Sequence, residues 1–135
     1  MIFETHAHYE DKKFDLDRDE LLTSMSLNGI SPIVNVGSSI ETTKKSIELA
    51  EKYDFIYAAV GVHPSDIECL SEDGMEWLRR QAEHPKAVAI GEIGLDYYWD
   101  KEEDVQEKQR YWFRRQLELA KDAGLPVIIH SRDAA

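Results

Sequence analysis

The sequence predicts an α/β protein built around a parallel β-sheet of five strands. Short apolar runs alternate along the chain with stretches of helical periodicity, and strands that alternate with helices form parallel sheets with right-handed crossovers. The middle runs are almost continuously apolar, which is typical of strands covered on both faces. Each run also leads into side chains that can do chemistry. Because the carboxyl ends of parallel strands face one way, we expect these side chains to converge on one rim.

The predicted strands are the apolar runs themselves. They are residues 1–5, 33–36, 56–62, 87–90 and 127–129. The first helix is expected to begin near Asp17 and Glu20, which have the spacing of a capping box, and to end at Gly29. No linker or low-complexity segment interrupts the alternation, so residues 1–135 are predicted to form a single α/β domain.

Three further helices are predicted from the spacing of apolar residues, over residues 39–53, 71–82 and 103–123. Gly124 is expected to end the last of them before Pro126 opens the fifth strand. The residues predicted to face the core are Ile40, Ile47 and Ala50 in the second helix, Met75, Leu78 and Ala82 in the third, and Val105, Trp112, Leu117 and Ala120 in the fourth.

Composition and charge narrow the class of protein. Hydrophobic residues make up 42% of the 135 positions and charged residues 32%, as in ordinary globular proteins. The net charge of −11 gives no broad attraction for nucleic acid, so phosphate binding would have to be local or metal-mediated. Cys69 is the single cysteine, and no apolar run has transmembrane length. These features predict a cytoplasmic protein without a membrane partner.

The number of strands leaves two architectures open. Five strands can form an open doubly wound sheet or an incomplete barrel, since a complete barrel of eight βα units typically has about 250 residues. An incomplete barrel would leave the edges of its sheet unpaired, and unpaired edges predict self-association.

His6 and His8 are the first candidate metal ligands. They lie two apart on a predicted strand, so both side chains are expected on one face, where neutral imidazoles can bind a divalent cation. Glu4 shares their parity and is expected to support them. The alternative is a pair of strand-end histidines without a ligand.

Glu92 and His130 follow the fourth and fifth apolar runs. A carboxylate at an inward strand end is costly unless it is paired or bound to metal, and a carboxylate can bridge two cations. Glu92 is therefore the candidate catalytic and bridging residue, with a surface turn residue or a salt-bridge partner as the alternative. For His130 the alternative to a metal ligand is a hydrogen-bonded core histidine.

His63 and Arg132 are candidate substrate-binding residues. His63 lies at a strand end and is interpreted as a substrate contact rather than a ligand, and the planar guanidinium of Arg132 suits a phosphate or a salt bridge. His84 precedes the fourth strand, at the opposite rim, and is assigned no function. The aromatic residues 97–99 could stack on nucleobases or simply pack a loop.

Four segments together resemble the TatD family of metal-dependent deoxyribonucleases. The segments are Glu4-Thr5-His6-Ala7-His8-Tyr9, Gly61-Val62-His63-Pro64, the run from Gly91 to Tyr98 and the run from Pro126 to Ala134. The resemblance extends from residue 1 over the whole chain and implies the N-terminal portion, about five βα units, of a TIM (β/α)8 barrel. It also implies a metal-activated water that hydrolyses phosphodiester bonds in DNA.

The resemblance further implies a role for each candidate residue. His6 and His8 would bind one metal ion, Glu92 would bridge two, His130 would help to bind the second and Arg132 would lie near the scissile phosphate. Two divalent ions are implied per complete site, and imidazole and carboxylate ligands suit Mg, Mn or Zn. The family's remaining ligands, a histidine and an aspartate from later strands, have no counterpart in this sequence.

Two other functions remain open. Related metal sites hydrolyse other esters or amides, and the sequence does not separate these substrates from DNA. Because part of the implied ligand set is absent, the third hypothesis is an inactive truncated half-barrel.

Overall fold

A computed structural model describes all residues, 1–135, as five strands that alternate with four α-helices. The strands are β1 Ile2–Ala7, β2 Ile30–Val36, β3 Ile56–Val60, β4 Ala87–Asp96 and β5 Val127–Arg132. The helices are α1 Arg18–Leu27, α2 Ile40–Lys52, α3 Glu72–Ala82 and α4 Glu103–Ala123. Two short 3₁₀ helices, at Lys12–Phe14 and Pro64–Cys69, lie between these elements and had no predicted counterpart.

The order of the strands decides between the two predicted architectures. The sheet runs β1-β2-β3-β4-β5, and every neighbouring pair is parallel. A doubly wound sheet would reverse its direction of growth at a switch point, whereas a barrel adds each strand beside the previous one. The structure is therefore the N-terminal half of a TIM barrel, and the predicted fold is confirmed.

The two faces of the sheet carry separate apolar clusters. One cluster of 19 buried residues includes Ile33 and packs the sheet against the helices. Val34 and Val36 belong to a second, smaller cluster with Ala59 and Ala89. Because side chains alternate along a strand, this smaller cluster lies on the opposite face, which is the interior of a barrel.

The helix boundaries were largely predicted. The predicted core residues of α3 are all buried, as are Ile47 and Ala50 of α2. Gly29 and Gly124 follow α1 and α4 with φ of 84° and 68°, a left-handed conformation that ends a helix readily at glycine. The capping box predicted at the start of α1 was wrong, because Asp17 occupies the N-cap without a side-chain capping hydrogen bond.

The buried face of α4 differs from the prediction. Val105, Trp112 and Leu117 are only partly buried, whereas Gln109 and Gln116 are buried completely or almost so. Both amides hydrogen-bond to backbone groups at strand ends. Apolar periodicity misses such residues, because a glutamine whose amide is fully hydrogen-bonded can be buried at little cost.

The outer strands, β1 and β5, leave apolar side chains uncovered. The exposed fractions are 62% for Ile2, 57% for Phe3 and 55% for Ile129. Each of these strands pairs on one side only. No helix of the structure has the length and apolar character needed to cross a membrane.

Candidate metal centre

Four of the five histidines gather around Glu92 at the carboxyl end of the sheet. The carboxylate of Glu92 lies within 4.0 Å of ring nitrogens of His6, His8, His63 and His130. The fifth histidine, His84, lies before β4 and contacts Glu51 at 3.2 Å. The convergence expected from the strand ends is therefore present, and His84 stands apart from it as expected.

Glu92 presents a different histidine pair to each of its oxygens. Oε1 lies 3.2 Å from Nε2 of His6 and 3.9 Å from Nε2 of His8. Oε2 lies 3.0 Å from Nδ1 of His130 and 4.0 Å from Nε2 of His63. The side chain of Glu92 is 12% exposed. One carboxylate thus belongs to two groups of potential metal ligands, one on each side of it.

The sequence had indicated that Glu92 follows the fourth strand. In the structure it lies within β4. Ile90 pairs with Val127 and Ile93 pairs with Ile129, so β4 carries one extra residue between these pairs. Such a bulge re-aims side chains and often occurs beside active sites. The Glu92 N–H donates to the carbonyl of Gly37 at 2.7 Å, which fixes the carboxylate-bearing residue against the end of β2.

Glycines let β4 and β5 approach at this point. A Cβ on Gly91 would lie 2.6 Å from Cβ of Ile128. Gly94 has φ of 149°, and a Cβ there would collide with the carbonyl oxygen of His130. Both positions therefore require glycine, and they keep His130 beside the carboxylate.

His8 is oriented by two neighbours. Its Nδ1 lies 3.0 Å from the carbonyl oxygen of Val36, which can only accept, so Nδ1 carries the proton and the lone pair of Nε2 faces Glu92. Glu10, which is buried, lies 3.5 Å from Nδ1. Its hydrogen bond to the imidazole is the main reason that the pKa of His8 is raised.

Glu4 was expected to support His6 and His8, and the structure contradicts this. No hydrogen bond or ion pair joins it to His6 or His8, and Glu10 lies beside His8 instead. The register between β1 and β2 shifts on either side of Glu4, so strict alternation fails there. Parity arguments hold only where the pairing is regular.

His130 lies between two carboxylates. Its Nδ1 faces Glu92 at 3.0 Å and its Nε2 faces Oδ2 of Asp96 at 2.9 Å. Burial tends to raise the pKa of Asp96, but hydrogen bonds from His130 and from the Tyr98 N–H outweigh it, so this pKa is lowered. An ionised Asp96 accepts the Nε2 proton, so in the neutral ring Nδ1 is the nitrogen left to coordinate a metal ion beside Glu92. The 3.0 Å contact between Nδ1 and Oε2 of Glu92 itself requires a proton between the two atoms. Asp96 had no predicted role, because only the β4–β5 pairing places it beside His130.

His63 is held as a hydrogen-bond donor. Its Nδ1 accepts the backbone N–H of Ser65 at 3.0 Å, so the neutral ring carries its proton on Nε2, towards Glu92. Burial and then the neighbouring His130 lower the pKa of His63, which favours this neutral form. Its position completes a second group of potential ligands, but a protonated Nε2 has no free lone pair for a metal ion.

Arg132 is exposed and stacks on an aromatic ring. Its guanidinium carbon lies 3.8 Å from the centre of the Tyr98 ring. No carboxylate forms an ion pair with it, in contrast to Arg110 and Arg115, which pair with glutamates. Arg132 therefore forms no salt bridge in the structure and stacks on Tyr98 instead.

The donor set fits divalent metal ions. Imidazole nitrogens and carboxylate oxygens suit Zn, Mn and related cations, and the lone pairs of His8 and His130 are directed inward by their outer hydrogen bonds. An open depression of about 600 Å³ adjoins Glu92, His8 and His63. This space is large enough to admit part of a substrate.

Comparison with known proteins identifies the family. A model of the family described as TatD related DNase matches residues 3–135. The chain belongs to this family. A protein named uncharacterized metal-dependent hydrolase YabD, from Bacillus subtilis, is 44% identical over 135 residues, which are 99% of this chain and 52% of that protein. The 3'-5' ssDNA/RNA exonuclease TatD of Cronobacter sakazakii is 33% identical over 98% of this chain and 50% of its own length.

Solved structures of TatD proteins share the fold. The crystal structure of the TatD homologue YjjV from Escherichia coli superposes with a TM-score of 0.87 and 36% identity, and covers 98% of this chain. A TatD family hydrolase from Entamoeba histolytica superposes with a TM-score of 0.84 and 28% identity. The chain spans about half the length of the relatives that it matches.

Proposed function

We propose that this TatD-family protein is a divalent-metal-dependent hydrolase of phosphodiester bonds in DNA, with its reaction centre at Glu92. The observation that carries the proposal is the carboxylate of Glu92, which offers one oxygen to His6 and His8 and the other to His130. A carboxylate between two sets of nitrogen donors is suited to bridge two cations.

The ligands divide between two ions. His6, His8 and Glu92 would hold one, and Glu92 with His130 would contribute to the second. Mg, Mn or Zn fits these donors, and two ions are proposed per complete site. Divalent ions bound there would lower the pKa of a coordinated water and polarise a phosphoryl oxygen.

Two residues of the chain would contact the substrate. The Nε2–H of His63 faces the site and can donate to a phosphate oxygen. Arg132 has free N–H groups above Tyr98 and can hold a neighbouring phosphate. Bound cations and this guanidinium would supply the local attraction for DNA that a net charge of −11 otherwise denies.

The choice of DNA is supported by relatives named as 3'-5' ssDNA/RNA exonucleases. Other relatives are named only as metal-dependent hydrolases, so amide and small phosphoester substrates belong in the same assay. A cytoplasmic location remains a prediction from the single cysteine.

The test combines metal binding with hydrolysis, using Glu92→Gln and the matched control His84→Ala. Glutamine keeps the size of residue 92 but removes the charge that both ligand groups share. We expect calorimetry with Mn²⁺ to give at least 100-fold weaker binding for Glu92→Gln, because a shared ligand is lost from both groups. The control should bind as the wild type does, since His84 lies at the opposite end of the sheet.

Hydrolysis is followed with end-labelled single-stranded DNA, Mg²⁺ or Mn²⁺, and an EDTA control. Metal-dependent cleavage that Glu92→Gln abolishes and His84→Ala retains would support the proposal. Wild-type protein that binds no metal, or that cleaves an amide or a small ester but not DNA, would overturn it.

A further inference from the structure

Two aromatic side chains stand exposed directly after β4. Tyr98 is 41% exposed and Trp99 is 76% exposed. Their rings meet edge to face, with centres 4.6 Å apart. Loop packing, the alternative that the sequence left open, would bury Trp99, and Trp99 is not packed against the described half-barrel. A large exposed aromatic surface commonly marks a binding site.

Positive charge adjoins these rings in an otherwise acidic protein. Arg132 stacks on the Tyr98 ring at 3.8 Å, and the Lys101 ammonium lies 5.9 Å from the same ring. Neither cation forms an ion pair with a carboxylate, whereas most arginines of the chain do. Aromatic rings interleaved with unpaired cations suit a ligand that has flat apolar rings and a negative backbone.

The pair is tied to the reaction centre by a short series of hydrogen bonds. The Tyr98 N–H donates to Oδ1 of Asp96 at 3.1 Å, and Oδ2 of Asp96 accepts from His130 at 2.9 Å. His130 in turn faces Glu92 at 3.0 Å. The Tyr97 N–H also donates to the Arg132 carbonyl at 2.9 Å, which joins the aromatic segment to β5. The backbone of Tyr97 and Tyr98 is therefore anchored beside the site, and the Trp99 ring contacts the Tyr98 ring.

We propose that Trp99 and Tyr98 form a stacking platform for an unpaired nucleobase beside the scissile phosphate, with Arg132 on the adjacent phosphate. This inference rests on the proposed nuclease function and deepens it, because it names the side chains that would bind an unpaired base next to the scissile phosphate. A base inside a duplex has both faces covered and cannot lie on the platform, whereas an unpaired base can. The platform thus selects single strands by stacking and not by reading base edges.

The test compares the binding of two oligonucleotides to two proteins, the wild type and Trp99→Ala. A short fluorescein-labelled single strand is compared with the same strand carrying an abasic residue next to its 3' end. Phosphorothioate linkages slow hydrolysis, and binding is followed by anisotropy in Mn²⁺. For the wild type we expect the abasic strand to bind about 10-fold more weakly, since stacking of one base on an aromatic ring is worth that much. In Trp99→Ala the difference between the strands should disappear.

Trp77→Phe is the matched control, because Trp77 is half-buried in α3, a helix that carries none of the site residues. It should keep the full 10-fold difference. Equal binding of the two strands by the wild type, or an unchanged difference in Trp99→Ala, would overturn the platform. Failure of the nuclease proposal looks different, because the wild type would then lack metal-dependent cleavage of any oligonucleotide, whatever its bases.

Discussion

At the scale of single residues, one hydrogen bond on the outer side of the ring sets the tautomer of three of the four histidines around Glu92. Val36 accepts from Nδ1 of His8, Asp96 accepts from Nε2 of His130, and Ser65 donates to Nδ1 of His63. The first two arrangements direct a lone pair at Glu92, and the third directs an N–H there. Similar imidazoles in one cluster therefore have different capacities, two as metal ligands and one as a donor.

Asp96→Asn tests this dependence on outer hydrogen bonds. An asparagine can turn its NH₂ towards Nε2 of His130, which favours the tautomer with the proton on Nδ1 and removes the lone pair facing Glu92. We expect Mn²⁺ affinity to fall about 10- to 100-fold, measured by competition with a chelator.

The control for this variant is Asp133→Asn, an exposed substitution near the end of β5. It should bind Mn²⁺ as the wild type does. If Asp96→Asn bound the metal equally well, Asp96 would have no part in orienting His130.

At the scale of elements, helix α4 holds the ends of two strands through buried amides. Gln116 accepts the Val62 N–H at 2.8 Å and donates to the Val62 carbonyl at 3.1 Å. Gln109 does the same for the backbone of Asp96, at 2.9 Å in both directions. Each amide therefore pairs with both the N–H and the carbonyl of one residue at a strand end, as a neighbouring strand would. Val62 directly precedes His63, and Asp96 ends the strand that carries Glu92. The helix thereby fixes the strand ends that carry the site.

Gln116→Leu measures the strength of this support. Leucine fits the apolar surroundings but leaves the buried N–H and carbonyl of Val62 without partners. We expect the free energy of unfolding to fall by about 2–4 kcal/mol, because each unsatisfied buried group costs about 1–3 kcal/mol. Urea unfolding followed by circular dichroism gives the value.

Lys108→Ala is the comparison on the same helix, since Lys108 is exposed and forms no ion pair. It should change stability by less than about 0.5 kcal/mol. A leucine variant as stable as the alanine variant would mean that the glutamine amide contributes nothing.

At the scale of the whole molecule, the half-barrel has two open edges. Strands β1 and β5 each present unpaired backbone groups together with exposed Ile2, Phe3 and Ile129. Proteins avoid such edges, because they pair readily with the edges of other chains. The sequence had predicted self-association for an incomplete barrel, and these exposed side chains identify where it would occur.

When residues 1–135 are expressed by themselves, we expect them to form dimers or larger species in solution, and light scattering after size-exclusion chromatography measures the mass. Ile129→Lys places a charge on the β5 edge and should shift the population towards monomer. Leu16→Lys is the control, because Leu16 is fully exposed outside the sheet. A well-folded wild-type monomer at high concentration would contradict association through the edges.

Sequence patterns alone predicted the alternation of strands and helices, most of their boundaries and the candidate residues at the strand ends. These features are local, since apolar spacing, capping residues and glycines act over a few positions. The sequence also indicated Glu92 as the candidate bridging residue, because a carboxylate at an inward strand end is costly unless it is paired or bound to metal.

The order of the strands, the half-barrel and the outer contacts of the histidines depend on how the folded chain packs. His130 meets Asp96 across 34 residues, and Gln116 meets Val62 across 54. Contacts of this kind arise from the way in which strands and helices pack, including the register shifts around Glu4 and Glu92 that simple alternation does not include. Local patterns thus predicted which residues belong to the site. Packing determines which groups they contact and which ring nitrogen of His8, His63 and His130 carries the proton.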